Sequence, residues 1–111
     1  MEAKAKQSNI KMPARKIRRV INVVRGKDVN EASRILRFMP YAAARVVEKN
    51  LKDAIANASQ KGLAADTLFV SEIFADEGIT YKRARCRAQG RMYRRLKRTS
   101  HLTIKLAMVE K

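Results

Sequence analysis

The stretch from Tyr81 to Arg98 limits what this chain can fold into more than any other part of it. Nine of its 18 residues are Lys or Arg and none is acidic, and no apolar stripe is present that could anchor it to a core. The basic residues are Lys82, Arg83, Arg85, Arg87, Arg91, Arg94, Arg95, Lys97 and Arg98. A connection of this length inside a compact domain is usually either functional or disordered.

Near the middle of this stretch, Ala88, Gln89 and Gly90 can turn the chain back on itself. Two extended arms, each about nine residues long, would then reach ~30 Å beyond the rest of the molecule at ~3.3 Å per residue. Because arms of this kind have no hydrophobic support in water, they need an anionic surface to lie in. We therefore predict a protruding basic β-hairpin over about residues 78–98.

The charge of the chain is divided unevenly between three regions. Residues 1–27 carry nine basic and one acidic group, residues 28–77 carry six basic and eight acidic groups, and residues 78–111 carry eleven basic and one acidic group. The formal net charge of +16 is thus concentrated in two ends around a nearly neutral middle. Since so much like charge opposes compaction unless a polyanion neutralises it, nucleic acid or an anionic membrane is the first partner to consider.

The first predicted helix begins with Pro13 at its first position and ends at Gly26. Its apolar stripe has helical spacing and consists of Ile17, Val20, Ile21 and Val24. Its opposite face is basic and carries Arg15, Arg18, Arg19 and Arg25. The pattern predicts a buried apolar stripe backed by a basic outer face.

Two more helices are expected before residue 62. The second begins near Asp28, with Glu31 as a capping-box partner, and Pro40 either ends it or opens the next helix. The third runs from about Tyr41 to Lys61, is rich in Ala and closes at Gly62. The apolar positions of the second helix are Ala32, Ile35, Leu36 and Met39. Those of the third are Ala44, Val47, Leu51, Ala54, Ile55 and Ala58.

Period-two alternation predicts three strands, over residues 2–8, 68–75 and 101–108. The last two are expected to pair in antiparallel fashion, with the helices covering one face of the sheet. The predicted fold class is α+β, with three helices packed on a small antiparallel sheet that extends into the long basic hairpin. At 111 residues the chain is expected to form a single domain, with a globular body of about 1–77 and 99–111.

The composition of the hairpin favours RNA as its partner. Arginine outnumbers lysine by seven to two, and the guanidinium group grips phosphate bidentately and stacks on bases. Tyr81 and Tyr93 lie among the arginines, where they can stack on unpaired bases. Three other interpretations stay open at this point: a disordered basic loop, a DNA-architectural β-arm and an RNA-processing enzyme. The absence of an apolar wedge at Ala88-Gln89-Gly90 counts against the second, and the absence of a catalytic set counts against the third.

Several short motifs resemble one known family in the right order along nearly the whole chain. They are Arg15-Lys16-Ile17-Arg18 with Arg25-Gly26, Ala54-Ile55-Ala56-Asn57-Ala58, Ile73-Phe74-Ala75-Asp76-Glu77-Gly78, Arg87-Ala88-Gln89-Gly90-Arg91 and Leu96-Lys97-Arg98-Thr99-Ser100-His101-Leu102-Thr103. Together they resemble the family of bacterial-type large-subunit ribosomal protein number twenty-two, whose β-hairpin lines the peptide exit tunnel.

The resemblance implies a structural constituent of the large ribosomal subunit that binds large-subunit rRNA and supports early subunit assembly. It implies a globular body near the tunnel exit and a hairpin that forms part of the tunnel wall. The tip, Arg87, Ala88, Gln89, Gly90 and Arg91, would face the nascent peptide. Neighbouring ribosomal proteins are the other expected partners, and a homo-oligomer is not expected. The rRNA-binding set is Arg15, Arg18, Arg19, Arg25, Lys82, Arg83, Arg85, Arg87, Arg91, Arg94, Arg95, Lys97, Arg98, Thr99 and His101.

Catalytic, metal and cofactor sites are not expected. Ser100 and His101 are adjacent on a predicted strand, so their side chains point to opposite faces and cannot pair as nucleophile and base. Cys86 is the single cysteine, which excludes an internal disulfide, and Asp76-Glu77 is the closest acidic pair. The sequence shows neither a signal peptide nor a membrane span, and we expect a cytoplasmic protein.

Overall fold

A computed structural model describes residues 2–86 and 92–108, including their side chains except those of residues 65, 83–86 and 92–96. The predicted tip, residues 87–91, lies outside the described residues. So do the side chains of Arg83, Arg85, Cys86, Tyr93, Arg94 and Arg95.

The described chain forms three α-helices and a three-stranded antiparallel sheet, which confirms the α+β class. In order, the elements are β1 (Glu2–Ile10), α1 (Ala14–Val24), α2 (Val29–Phe38), α3 (Ala42–Gln60), a short 3-10 helix (Ala65–Thr67), β2 (Leu68–Cys86) and β3 (Met92–Met108). The sheet order is β1–β3–β2. The last strand in sequence, β3, therefore lies between the other two. The helices connect β1 to β2.

The helix ends follow from a few residues. Pro13 is the N-cap of α1 and not its first helical residue, so the helix begins one residue later than predicted. The Asp28 carboxylate accepts a hydrogen bond of 2.9 Å from the backbone N–H of Glu31, as an N-cap should. Gly26 and Gly62 have φ angles of +79° and +81°, a left-handed conformation that ends α1 and α3 at low steric cost.

The core lies on one face of the sheet, because alternate residues of the three strands are buried together. In the centre, Ile104 of β3 pairs with Ala5 of β1 and Ile73 of β2. The buried helix residues that meet this face include Ile17, Val20, Ile21, Val24, Ala32, Leu36, Ala44, Val47, Leu51, Ala54 and Ala58. Of the predicted apolar positions, Ile35, Met39 and Ile55 are only half-buried at its border.

The outer edge of β1 is covered by side chains from α3 and from its C-cap residue, Lys61. The Asn57 amide donates a hydrogen bond of 2.8 Å to the Lys4 carbonyl, and the Lys61 ammonium donates one of 2.8 Å to the Glu2 carbonyl. These donors occupy backbone acceptors that would otherwise be open to another strand.

Beyond the body, β2 and β3 continue as a two-stranded ladder. Their pairing runs from Thr80 with Arg98 to Cys86 with Met92. Seven paired residues on one arm reach ~23 Å at ~3.3 Å per residue. The molecule accordingly measures 66 × 24 × 17 Å, and its radius of gyration of 17.1 Å exceeds the ~13 Å of a compact chain of this length.

Candidate nucleic-acid interface

The predicted basic face of α1 divides into two functional groups. Arg18 donates through Nε and Nη2 to the Ala75 carbonyl at 3.2 and 2.9 Å. Arg25 donates through Nη2 to the Ile73 carbonyl at 2.9 Å, and its Nη1 donates to the Asn22 side chain at 2.9 Å. These two arginines hold α1 against the outer edge of β2, so part of their hydrogen-bonding capacity serves the fold.

Arg15 and Arg19 differ from these two. Within the described residues, neither guanidinium has a protein acceptor or an ion-pair partner. Arg19 instead lies over an aromatic ring, with its Cζ 4.1 Å from the centroid of Tyr41. The donors of both side chains are therefore available to an external anion.

The two basic regions of the sequence meet where the hairpin leaves the body. A cavity of about 440 Å³ lies there, between the first turn of α1 and residues 98–99 of β3. Arg15 and Arg18 line it from α1, and Arg98 lines it from β3. Glu77 is the acidic group among its lining residues, which also include Pro13, Ala14 and Thr99. Three guanidinium groups around one carboxylate leave a net positive cavity, which suits a phosphate group.

A second cavity adjoins the first and shares Arg98 and Thr99 with it. It has a volume of about 450 Å³, and its other lining residues are Lys11, Tyr81 and Lys97. Tyr81 is 48% exposed, so its ring is accessible to a stacking partner. We call this pair the root cavities. Lys11 was missed by sequence reasoning, because a lone lysine between a strand and a helix is indistinguishable from any solvated surface charge.

Gly78, Thr99 and His101 pack closely where the hairpin leaves the body, and we call this contact the joint. It fixes the direction in which the hairpin projects. The pairing of β2 with β3 shifts between Glu77 and Thr80, and Gly78 lies in this irregularity. A Cβ atom on Gly78 would lie 2.7 Å from the Thr99 hydroxyl and 3.1 Å from Nε2 of His101. The Thr99 hydroxyl donates a hydrogen bond of 2.6 Å to the Ile79 carbonyl. Any residue larger than glycine would force these groups apart.

Thr99 and His101 thus have intramolecular roles. Thr99 is buried. Nδ1 of His101 accepts a hydrogen bond of 3.2 Å from the backbone N–H of Asn9, which links β3 to β1. Their assignment to the rRNA-binding set stays a prediction.

Ser100 and His101 do not form the hydrogen-bonded pair of nucleophile and base that a hydrolase would need. The buried Ser100 hydroxyl donates to the Met12 carbonyl at 2.9 Å, while His101 is engaged by Asn9. In residues 2–86 and 92–108, no group of three or more His, Cys, Asp or Glu residues is arranged to hold a metal ion. Among the helices that the structure describes, none is long and apolar enough to cross a membrane.

The other predicted contacts fall into two classes. Lys82 and Lys97 are exposed on the two arms of the hairpin, with Tyr81 opposite Lys97 in the ladder. The side chains of Arg83, Arg85, Arg94 and Arg95, and all of Arg87 and Arg91, lie outside the described part of the chain. The described interface is therefore the root of the hairpin together with the outer face of α1.

Comparison with known proteins identifies a family to which this chain is similar. A family model described as ribosomal protein L22p/L17e matches residues 5–107. A Clostridium kluyveri protein named "Large ribosomal subunit protein uL22" is 51% identical over 105 residues, which cover 94% of this chain and 95% of the relative. A Bifidobacterium longum protein of the same name is 47% identical over 116 residues, covering 99% and 98%.

Proposed function

The chain belongs to the family of ribosomal protein L22p/L17e, and on that premise we propose that it binds large-subunit rRNA through its hairpin and the root cavities. Members of this family are structural constituents of the large ribosomal subunit and not enzymes, and this chain is one of them.

One observation carries the proposal: the basic groups from the two ends of the sequence converge at the hairpin root. Lys11, Arg15, Arg18, Lys97 and Arg98 line two adjoining cavities there. Clustered cations gain most from a polyanion, because each phosphate contact releases a condensed counterion. Tyr81 adds a ring for an unpaired base, which is the mode by which RNA is commonly recognised.

The hairpin arms continue the same chemistry away from the body. Residues 78–98 contain nine basic groups and no acidic one, and the described part of the two arms pairs only with itself. We place these arms along rRNA in the wall of the peptide tunnel, with the body near the tunnel exit. In this arrangement the tip residues Arg87 to Arg91 face the nascent peptide, and the chain joins the rRNA early in assembly, beside neighbouring ribosomal proteins.

The proposal is tested by measuring the affinity of the full chain for a large-subunit rRNA transcript and for duplex DNA of similar length over a range of salt concentrations. We expect tighter binding to the folded rRNA at every salt concentration, with a steep loss of affinity as salt rises. Equal affinity for the two nucleic acids would contradict the proposal, because the chain would then bind them only as a non-specific polycation.

A sedimentation experiment tests the same proposal in the cell. The chain should stay with large subunits after a high-salt wash, because an arm threaded through rRNA is retained by many contacts at once. Release into the light fractions would contradict a threaded hairpin, even if binding to free rRNA is observed.

A further inference from the structure

Two further cavities lie beside α1, and each of the four cavities shares lining residues with the next, so that together they form a row that we call the track. The first has a volume of about 330 Å³ and shares Arg15 with the root. The second, of about 230 Å³, shares Lys16 and Arg19 with the first. Its remaining lining residues are Met12, Pro40, Tyr41, Ala42 and Ala43. The track thus runs from Tyr81 at the hairpin to Tyr41 at the junction of α2 and α3.

We infer that this track holds a single-stranded segment of RNA, and that Tyr41 with Arg19 forms a stacking site for an unpaired base at the end away from the hairpin. The inference rests on the proposed function and adds a second anchoring point, on the body, that the hairpin does not supply.

The charges along the track favour a nucleic acid over a protein partner. The cores of protein–protein interfaces are depleted in charged residues, whereas grooves for single-stranded nucleic acid combine cations with aromatic side chains. Here the cationic lining residues, Lys11, Arg15, Lys16, Arg18, Arg19, Lys97 and Arg98, are accompanied by one acidic residue, Glu77. An exposed tyrosine lies at each end.

At the Tyr41 end of the track, the ring and the chain segment before it are held in place by two arginines. Tyr41 is 41% exposed, and the Arg19 guanidinium lies over its ring. The segment before it is held by Arg45, whose Nη2 donates to the carbonyls of Leu36, Arg37 and Met39 at 2.9, 3.1 and 2.7 Å. An aromatic ring that is already fixed loses little entropy when a base stacks on it.

Stacking requires an unpaired base, since paired bases present no free face to a side chain. Phosphates of the same strand would then follow Arg19, Lys16 and Arg15 along the first two turns of α1. A duplex cannot satisfy both requirements along the track.

The test compares matched aromatic substitutions in the full chain. Tyr41→Leu should lower the affinity for a large-subunit rRNA transcript by about five- to 150-fold, the range that a lost base–aromatic stack produces. Tyr41→Phe keeps the ring and should bind within about twofold of the parent chain, since the face and not the hydroxyl makes the stack. Phe38→Leu is the control, because Phe38 is 79% exposed in the same segment and lines none of the four cavities.

Equal losses for Tyr41→Leu and Phe38→Leu would overturn the track, as would no loss for Tyr41→Leu. Thermal unfolding of each variant shows whether the fold is retained.

Photo-crosslinking separates this inference from the proposed function. A photoreactive phenylalanine analogue placed at position 41, and in a second protein at position 97, should crosslink to rRNA at both positions in assembled large subunits. Crosslinking at position 97 with none at 41, or with a protein captured at 41, would overturn the track while leaving the proposed function standing. If the parent chain does not bind rRNA at all, the proposed function fails.

Discussion

The two halves of the β2–β3 ladder have the same backbone pairing and very different surroundings. In the body half, Ile104 and Leu106 of β3 are fully buried, and the outer edges of the sheet are occupied by donors from α1 and α3. At the start of the projecting half, Ile79 is 63% exposed and Tyr81 48% exposed, and among the described residues no third strand pairs with the ladder there.

From this difference we expect that backbone pairing alone is not enough to stabilise a long hairpin in water. A two-stranded ladder without a packed face is marginal, because its hydrogen bonds replace others of similar strength to water. The body half gains its stability from buried apolar area. We expect a division of stability between the two halves, in which the projecting half gains its own from a partner that neutralises its charge.

The largest expected effect is a core truncation in the body half. Ile104→Ala removes a fully buried side chain from the central strand and should lower the free energy of unfolding by about 3 kcal/mol. The matched change in the projecting half, Ile79→Ala, should cost less than about 0.5 kcal/mol, since that side chain is largely exposed. Urea denaturation of the two variants measures both values, and similar losses would contradict the division.

The next effect concerns the joint between the halves. Gly78→Ala places a Cβ against the Thr99 hydroxyl and should lower stability by about 1–3 kcal/mol. Thr99→Ala alone should cost about 1 kcal/mol through its lost hydrogen bond to Ile79. Because removing the hydroxyl also relieves the clash, the double variant should lose less than the two single variants added together. Strictly additive losses would show that the contact does not constrain the joint.

A smaller effect distinguishes Arg25, the C-cap residue of α1, from Arg15 in its first turn. Arg25→Met removes the donor to the Ile73 carbonyl and should lower stability by about 1 kcal/mol. Arg15→Met, which breaks no hydrogen bond within the described residues, should change stability by less than about 0.5 kcal/mol and weaken rRNA binding more than Arg25→Met does. The reverse order in either measurement would mean that the structural and RNA-facing roles are assigned to the wrong side chains.

The smallest effect on stability should come from a single lysine of the hairpin root. Lys97→Gln should leave the unfolding transition unchanged and reduce the slope of log affinity against log salt by about one, through one lost phosphate contact. Lys105→Gln is the control, because Lys105 is paired with Glu72 at 3.1 Å on the open face of the body. An equal change of slope in the control would mean that total charge, and not position at the root, governs binding.

Much of the body could be predicted because its patterns are local. The stripe of Ile17, Val20, Ile21 and Val24 is buried as the helical spacing indicated, and the alternation at the chain ends appears as β1 and β3. A period of 3.6 or of two needs only neighbouring residues to be visible. The boundaries were less accurate, as the shift of one residue at Pro13 shows.

The site was only partly predictable, since its residues are brought together from distant parts of the sequence. Arg15, Arg18 and Arg19 look equivalent on a helix diagram. Arg18 is nevertheless held by Ala75, 57 residues away, whereas Arg19 lies over Tyr41. No local pattern distinguishes a guanidinium that reaches a strand-edge carbonyl from one that remains available to a phosphate.

Residue order and spacing were thus enough to establish the fold class, the long basic hairpin and the division of charge between two ends and a neutral middle. These depend on periodicity and on the sum of charges, which are properties of the chain itself. Only the folded molecule placed β3 between β1 and β2, brought Lys11 and Arg98 to one root, and left Tyr41 exposed beside Arg19. Those features depend on which distant groups approach within a few ångströms, because hydrogen bonds and stacking act only over that range.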